Sequence, residues 1–441
     1  MFSSSAADKL NDFHMIAVGD RRGVPIGAAY DPVIYFQRRA FFHYSKGLKQ
    51  CTRIGDGRNL ARFTVDFQRY FTHTVIMTWF YCPTQVCLGS YALKNNADAL
   101  GKLGRRCLVV TGKTSAAVSG VLDDLAAILH SLGITYEIFD EVEPNPSIHA
   151  CLQGGRRARV FGAEFIIGAG GGSPLDAAKA VAAYAVNDIE PIAIFDSPPI
   201  PPLPVAAIPT TAGTGSEVNG YAVLTIPEQG AKRTYSSPRA FPVVAFLDPR
   251  YTASLPYDQT VSTALDAFCH CAESYFSPRA TQMIRALGVK GANLAWRGLL
   301  AAQAGDIGEP VRTDLLTGAM MGGICIAHAG TGYPHPMGYN LTLYRGVPHG
   351  AACAVFEGEY LRRQASASRE LFSDFMNLAG LPDELPDKLT GLAGQMPRLA
   401  AEEIAKYASL IAGAKNFANS IGAAAADADS IANLYRETFG I

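Results

Sequence analysis

The sequence predicts two domains: an α/β domain built on a parallel, Rossmann-like sheet, followed by an all-helical domain. Up to residue 256, short apolar segments such as RRCLVVTGK (105–113) alternate with helical stretches of about 12 residues. This alternation is typical of a parallel sheet covered on both faces. Beyond residue 256 strand-like segments nearly vanish, and Ala and Leu recur at helical spacing. A chain of 441 residues is also too long for one core. We therefore expect the domains to span 77–256 and 257–441.

Six apolar segments of the first domain have the length and composition of buried strands. In chain order they are VCLG, RRCLVVTGK, ITYEIFDEV, EFIIGAG, PVAAIPTT and VVAFLDP. The intervening stretches GVLDDLAAILHSLG, IHACLQGGRRARVFG and GSPLDAAKAVAAYA have helical spacing. In the second domain, STALDAFCHCAESYFS (262–277), RLAAEEIAKYASLIAGA and SIANLYRETF are predicted helices.

Composition excludes several classes of protein. The chain is 49% hydrophobic and 17% charged, as folded globular proteins are, and its net charge of −1 favours neither nucleic acid nor an anionic membrane as partner. No segment reaches the roughly 18 apolar residues that span a bilayer, and the start lacks a signal-peptide core. The nine cysteines show no repeated CxxC spacing, which favours a reducing compartment. We expect a cytoplasmic protein.

Residues 1–76 differ from the rest of the chain. They hold 11 Lys and Arg against 6 Asp and no Glu, and they are rich in aromatic residues, as in YFQRRAFFHYS (35–45), without a sustained helical or strand period. A basic aromatic segment can bind RNA, but no recognisable module is present. The alternatives are a disordered extension or translated sequence upstream of a start at Met77. We expect this extension to be dispensable.

A glycine-rich turn, GAGGGSPLDAAKA (168–180), joins a buried strand to a helix. The free amides of a first helical turn and the helix dipole favour a phosphate, so Gly171, Gly172 and Ser173 are candidate pyrophosphate contacts. The motif is GGGS rather than GxGxxG, and packing turns also use glycine. Asp176 is a further candidate, although a carboxylate near a helix N-terminus suits the dipole whatever the function.

A second polar turn, IPTTAGTGSEV (208–218), follows another strand. It places the hydroxyls of Thr210, Thr211 and Thr214 at the carboxyl end of the sheet, where open α/β sheets bind ligands. Two such turns at one sheet edge predict a bound dinucleotide.

Asp266 and His270 lie four positions apart on one predicted helix and share a face, with Glu273 nearby. On spacing alone, a structural Asp–His pair is favoured over a metal site. His335 and His349 change this balance, because each adjoins a proline that fixes the chain direction. One Asp and three His make a compact site for Fe²⁺ or Zn²⁺, which would act as a Lewis acid on a substrate oxygen. Beside a nicotinamide, such a site implies hydride transfer.

Eight motifs in a fixed order resemble the iron-containing (group III) alcohol dehydrogenases. They are FYCPTQVCLG, VTGK, EPNPS, IIGAGGGSPLDAAKA, IPTTAGTGSEV, FLDPRYTASLP, LDAFCHCAESY and HPMGYNLTLYRGVPHG. The likeness extends from about residue 79 to the end. It implies an NAD(P)-binding domain, a helical metal domain and a homodimer formed through the outer strand. It also implies Fe²⁺, sometimes Zn²⁺, and small alcohol or aldehyde substrates. By motif, the metal ligands are Asp266, His270, His335 and His349.

Two positions depart from the pattern of the family. Tyr339 stands four residues after His335, where many members have a histidine thought to relay a proton. A phenol is a poorer base at neutral pH. Tyr339 is therefore one candidate catalytic residue, and a path through the cofactor ribose and solvent is the alternative route for the proton. His328 falls at no motif position and is expected to be packed or to line the cleft.

The second departure concerns the cofactor. Gly112 stands where NAD-preferring members tend to have an Asp that bonds the ribose and repels a 2′-phosphate. Its absence favours NADP(H) over NAD(H), with the phosphate bound by the residues that follow: Lys113, Thr114 and Ser115. Asn145 aligns with a cofactor contact of the family, and Lys232 is a weaker candidate.

The resemblance leaves two alternatives to a small-alcohol dehydrogenase. One is a hydroxyacid–oxoacid transhydrogenase, which keeps its cofactor bound while two substrates exchange hydride. The other is a non-catalytic homologue that binds only metal or nucleotide. The second is disfavoured because the four predicted ligands and both cofactor turns are present.

Overall fold

The structure, a computed structural model, describes residues 80–196 and 198–441, so the predicted extension at 1–76 lies outside the described residues. The strands are β1 (Gln85–Leu88), β2 (Arg106–Thr111), β3 (Thr135–Phe139), β4 (Phe165–Gly170), β5 (Val205–Pro209), β6 (Tyr221–Ile226), β7 (Ala231–Ser236) and β8 (Val244–Leu247). Six of them form one sheet in the order β1-β8-β5-β4-β2-β3, in which every neighbouring pair is parallel. The predicted parallel sheet is confirmed.

Both faces of this sheet are covered by helices. They are α1 (Ala92–Asn95), α2 (Asp98–Gly101), α3 (Ser115–Val118), α4 (Val121–Ser131), α5 (Ile148–Phe161) and α6 (Gly172–Val186). Successive residues of β2 enter different cores: Leu108 and Val110 pack in one apolar cluster, Cys107 and Val109 in another. Because side chains alternate along a strand, a sheet buried on both faces needs such continuous apolar strands.

Residues 257–441 contain helices and no strand. The helices are α7 (Tyr257–Tyr275), α8 (Gln282–Gln303), α9 (Glu309–Ala329), α10 (Pro334–Arg345), α11 (His349–Ala367), α12 (Arg369–Ala379), α13 (Leu385–Leu392), α14 (Ala401–Ile411) and α15 (Ala428–Phe439). Helix α7 lies at the centre of this region, and nearly all of its residues from Thr260 onward are buried. No single helix of the described chain is long and apolar enough to cross a membrane. The expected all-helical region is confirmed.

The α/β region also contains two strands that were not predicted from the sequence. Strands β6 and β7 form an antiparallel hairpin, with Tyr221 opposite Ser236 and Ile226 opposite Ala231. The chain between them makes a 3₁₀ turn and then passes through Gly230 in the left-handed region, at φ 56°. The hairpin matters for the site because it carries Lys232 towards the glycine-rich turn.

A cavity of about 770 Å³ is lined by residues of both the α/β and the helical region. On one side lie residues that follow β3, β4 and β5, at the carboxyl edge of the sheet. On the other side lie residues of α7, α10 and α11. Open α/β folds bind ligands at this edge, so the cavity is the candidate site.

Candidate active site

The four predicted metal ligands come from three helices. Asp266 and His270 lie one turn apart on α7 and are almost completely buried. His335 is the second residue of α10, and His349 is the first residue of α11. Pro334 is the first residue of α10 and Pro348 is the N-cap of α11, and the fixed φ of proline suits the start of a helix. The helix starts therefore aim both imidazoles at α7.

The nitrogens of the three imidazoles surround one carboxylate oxygen. Oδ1 of Asp266 lies 3.7 Å from Nε2 of His270, 3.7 Å from Nε2 of His335 and 3.6 Å from Nε2 of His349. Ligands at about 2.1 Å from a tetrahedral ion lie about 3.4 Å apart, which is close to these distances. Within the described chain, Oδ1 of Asp266 and Nε2 of His335 have no hydrogen-bond partner although both are buried. The donors therefore fit a divalent metal ion.

Burial and mutual attraction set the protonation of this cluster. Burial lowers the pKa of His349 to about 3 and that of His270 to about 4. Burial also opposes the charge of Asp266, but attraction to His270, His349 and His335 lowers the pKa of its carboxyl. A carboxylate with neutral imidazoles is the state in which these groups bind metal.

His335 differs because a second carboxylate contacts it. Its Nδ1 lies 2.7 Å from Oε1 of Glu273, whose Oε2 accepts a hydrogen bond from the amide of Gly332 at 2.6 Å. Burial would lower the pKa of His335, but Glu273 and Asp266 together raise it to about 10. Glu273 thus holds the proton on Nδ1 and turns Nε2 towards Asp266, an arrangement common behind metal-bound histidines.

Glu357 lies beside Glu273 in the helical core and is fully buried. Neither of its carboxyl oxygens has a hydrogen-bond partner by distance and angle among the described residues. Burial, followed by repulsion from Glu273, raises the pKa of Glu357 well above the usual value for glutamate. A neutral acid is the form that such a site favours.

Tyr339 and Cys353 adjoin the fourth predicted ligand. The ring of Tyr339 lines the cavity and stacks on that of His349, with centroids 5.3 Å apart. Burial raises the pKa of this phenol, so Tyr339 can donate a hydrogen bond but does not act as a base near neutral pH. Sγ of Cys353 lies 3.8 Å from both ring nitrogens of His349 and near Asp266 and His335. Sequence analysis did not single out Cys353, although its i+4 spacing from His349 was a signal.

His328 is packed outside this cavity. Its ring stacks on Phe80 with centroids 4.8 Å apart, and its Nε2 accepts a hydrogen bond from the amide of Tyr81 at 3.0 Å. It is absent from the residues that line the cavity in the described chain. Of the two expectations for this histidine, the structure therefore favours packing.

The two predicted cofactor turns contact each other at the sheet edge. Gly171 caps α6 and no side chain caps this helix, so its first amides are free for a ligand. A Cβ on Gly172 would lie 2.5 Å from Cγ2 of Thr214, and one on Gly171 would lie 3.2 Å from Cγ2 of Thr211. Oγ1 of Thr210 is buried without a hydrogen-bond partner in the described chain. Glycine at positions 171 and 172 allows the two turns to approach each other this closely.

Three further predicted contacts meet beside the glycine turn. Asn145 adopts the left-handed conformation at φ 60°, which Asn tolerates better than most residues. Its amide donates to Oγ of Ser173 at 3.1 Å, and Nζ of Lys232 donates to its Oδ1 at 2.7 Å. All three residues line the cavity.

Asp176 is occupied by protein partners. Its Oδ1 accepts from Oγ of Ser216 at 2.5 Å, and its Oδ2 accepts from the amide of Val223 at 2.8 Å. Lys179, which sequence analysis missed, is buried one turn further and donates to Ser216, Asn219 and the carbonyl of Tyr221. Burial lowers the pKa of Lys179 to about 8. These bonds fasten α6 to β6 and to the chain between β5 and β6. A cofactor contact of Asp176 stays a prediction.

Gly112, Lys113, Thr114 and Ser115 follow the end of β2 and do not line the cavity. They are close to the glycine turn in the sheet, because Thr111 pairs with Ala169 on the neighbouring strand β4. A Cβ on Gly112 would lie 3.3 Å from the carbonyl oxygen of Val142 and 3.8 Å from Oγ of Ser115. This position therefore has room for a small side chain after a slight shift.

Sequence comparisons identify the family to which this fold and donor set belong. Residues 83–249 match the family model for iron-containing alcohol dehydrogenase, and residues 260–426 match that for the C-terminal region of the Fe-containing alcohol dehydrogenase family. The chain belongs to the iron-containing alcohol dehydrogenase family. The resemblance inferred from the motifs is confirmed.

Individual relatives agree with this assignment. The 1,3-propanediol dehydrogenase of Klebsiella pneumoniae is 31% identical over 328 residues, which cover 74% of this chain and 82% of that protein. The structure of an iron-containing alcohol dehydrogenase from Thermotoga maritima is similar with a TM-score of 0.76 at 36% identity, covering 82% of this chain and 99% of that one. A sulfoacetaldehyde reductase from Bifidobacterium kashiwanohense in complex with NAD⁺ has a TM-score of 0.72 at 26% identity, with coverages of 82% and 99%. This iron-containing alcohol dehydrogenase homologue is an oxidoreductase of alcohols and aldehydes.

Proposed function

We propose that this protein transfers hydride reversibly between NADP(H) and a small primary alcohol or aldehyde, with Fe²⁺ as its metal. In the direction of reduction, an aldehyde, NADPH and one proton give an alcohol and NADP⁺. The observation that carries the proposal is that one cavity is lined both by the glycine turn at Gly172 and Ser173 and by the donor set around Asp266. Hydride transfer requires the substrate carbon and the nicotinamide ring to be held next to each other, which one shared cavity allows.

Asp266, His270, His335 and His349 would hold the metal. When bound, the metal supplies Lewis acidity to the substrate oxygen and lowers the barrier to hydride transfer. Carboxylate and imidazole donors suit Fe²⁺, and they also fit Zn²⁺. Glu273 would keep His335 in the tautomer that leaves Nε2 free, as its 2.7 Å contact with Nδ1 supports.

The cofactor would bind across the carboxyl edge of the sheet. The free amides at the start of α6 would bind the pyrophosphate, and Asn145 and Lys232 would contact the cofactor near the cavity. The hydroxyls of the second turn would add hydrogen bonds: Thr210, Thr211 and Thr214. The bound NAD⁺ of the sulfoacetaldehyde reductase relative supports a nicotinamide cofactor here.

NADP(H) is preferred over NAD(H) in this proposal because Gly112 presents no carboxylate at the end of β2. An Asp there would repel a 2′-phosphate, whereas Lys113, Thr114 and Ser115 offer one positive charge and two hydroxyls to it.

Tyr339 is the proposed proton-handling residue. It lines the cavity between His335 and His349, and its phenol stays protonated near neutral pH because burial raises its pKa. Tyr339 would therefore donate a hydrogen bond to the substrate oxygen during aldehyde reduction, and the proton that converts this oxygen to the alcohol hydroxyl would come from solvent.

The proposal is tested by following NADPH absorbance with propanal before and after removal of metal by a chelator. We expect turnover to disappear with the metal and to return on adding Fe²⁺ under anaerobic conditions.

Gly112→Asp should shift the NADPH/NADH ratio of kcat/KM towards NADH by about tenfold or more, because the carboxylate repels the 2′-phosphate. Gly391→Asp, at an exposed site with no atom within 4 Å of its Cβ, is the control. Full turnover without metal would contradict the metal role, and a wild type that prefers NADH would contradict the cofactor choice.

A further inference from the structure

One end of the cavity is built by segments that take no part in the metal donor set or the glycine turn. Arg279 lies between α7 and α8, Thr331 lies between α9 and α10, and Lys415, Asn416 and Asn419 lie between α14 and α15. We call Arg279 and Lys415 the cationic rim. Both side chains are exposed at the mouth of the cavity.

The guanidinium of Arg279 is held in place by neutral acceptors only. Its Nη2 donates to the carbonyl of Ala329 at 2.6 Å, and its Nε donates to Oδ1 of Asn419 at 3.2 Å. A Cβ on Gly330 would collide with Nη2, so the guanidinium lies directly against the backbone there. Within the described chain, Arg279 makes no ion pair, and its side-chain hydrogen bonds come from Nε and Nη2, so Nη1 keeps both of its donors for a ligand.

Lys415 is placed by the residue that follows it. Nδ2 of Asn416 donates to the carbonyl oxygen of Thr331 at 3.2 Å and to its Oγ1 at 2.9 Å. This fixes the short 3₁₀ turn Lys415–Ala418 against the start of α10. Among the described residues, Nζ of Lys415 has neither an ion-pair partner nor a hydrogen-bond acceptor, so its charge is available at the mouth.

The acidic side chains that line the cavity do not neutralise this rim. They are Asp176 and Asp266. Asp176 already accepts two hydrogen bonds and lies 3.7 Å from Nζ of Lys179. Asp266 faces the three imidazoles. One end of the cavity therefore carries two positive charges without a negative partner, which favours an anion.

We propose that the cationic rim binds the anionic end of the substrate, so that the natural substrates are short ω-oxo acids and the corresponding ω-hydroxy acids. The oxygen that is reduced or oxidised would point to the donor set around Asp266, and a carboxylate or sulfonate would bind Arg279 and Lys415. The cofactor phosphates do not account for the rim, because their predicted contacts at Gly171–Ser173 lie on different segments. This inference rests on the proposed function and adds the substrate class to it.

The test compares kcat/KM for 4-oxobutanoate, its methyl ester and sulfoacetaldehyde with the metal-loaded protein and NADPH or NADH. We expect wild type to prefer the free acid or the sulfonate over the neutral ester, and the more efficient of the two identifies the anion. Arg279→Gln and Lys415→Gln should each lower the acid-to-ester ratio by about fivefold or more, because each removes a charge-assisted contact. Arg279→Lys, which keeps the charge, should retain most of the ratio. Lys388→Gln, at an exposed site away from the cavity, is the control.

A binding measurement separates failure of this inference from failure of the proposed function. If none of the aldehydes is reduced, the proposed function is wrong, and calorimetry of 4-hydroxybutanoate binding still tests the rim. We expect the affinity to fall in Arg279→Gln and in Lys415→Gln, to fall with added salt, and to be unchanged in Lys388→Gln. An acid-to-ester ratio near one in wild type, or equal affinity in all variants, would overturn the inference.

Discussion

Glu273 is the residue on which the orientation of His335 depends. Its two carboxylate oxygens accept hydrogen bonds from different donors, Nδ1 of His335 and the amide of Gly332. It thereby fixes both the ring and the backbone at the start of α10. A carboxylate in this position raises the basicity of the histidine. It also fixes the orientation of the ring before metal binds, so that less side-chain freedom is lost on binding.

Replacing Glu273 by Gln should weaken metal binding by about 10- to 100-fold, because the amide carries no charge and can accept through one atom only. The measurement is the dissociation constant for Fe²⁺ or Zn²⁺ in competition with a chromophoric chelator. Glu357→Gln is the matched control: its carboxyl is neighbouring, equally buried and already favours the neutral form, so the change should be less than about threefold. Equal losses in both variants would show that Glu273 acts through packing alone.

Individual residues of the site were predictable where a short motif contains them. Asp266 and His270 share one helix face, and His335 and His349 each follow a proline. The contact of Glu273 with His335 joins residues 62 positions apart and depends on where α10 begins. The spacing of residues along one helix cannot predict such a contact. Lys179 was missed for a related reason: its partners lie beyond β5, about 40 positions away.

At the scale of elements, the site depends on the close approach of α7 and α11. These helices bring Asp266 and His349 together, and they touch at Gly350, the residue after His349. A Cβ on Gly350 would collide with the carbonyl oxygen of Ser262 and lie 2.8 Å from the amide of Asp266. Backbone atoms cannot move aside as a flexible side chain can, so only glycine fits here.

Gly350→Ala should separate α7 from α11 and disturb both stability and metal binding. We expect a loss of about 2–3 kcal/mol in the free energy of unfolding, typical of overpacking, together with reduced metal content in the purified protein. Denaturant unfolding and elemental analysis measure the two effects. Gly391→Ala is the control, because no atom lies within 4 Å of a Cβ at that helical position. Unchanged metal content and stability in Gly350→Ala would contradict the close-contact account.

Most elements were predictable because their apolar pattern is continuous or helical. All six predicted strand segments overlap strands of the parallel sheet, and the stretch around LDAFCHCAESY lies in α7. The hairpin of β6 and β7 was not predicted. Its second strand, AKRTYS, is mostly polar with one buried residue, so it lacks the apolar signal on which strand prediction depends.

At the scale of the whole molecule, the site exists only because two kinds of architecture meet. The sheet edge provides the glycine and threonine turns, and the helical region provides the metal donors and the cationic rim. The order of these regions followed from the change in sequence pattern near residue 257. The cavity between them could not be predicted in this way, because the packing of one region on the other depends on contacts between residues that are far apart in the sequence. The role of residues 1–76 stays a prediction.

The central claim is that Asp266 and three histidines hold the metal on which turnover depends. The most direct test is the metal content and NADPH-dependent aldehyde reduction of His349→Ala, with His328→Ala as the control outside the cavity and circular dichroism to confirm folding. The account predicts that His349→Ala loses bound metal and at least about 100-fold in kcat/KM, while His328→Ala retains both. A folded His349→Ala protein with full metal content and full activity would contradict it.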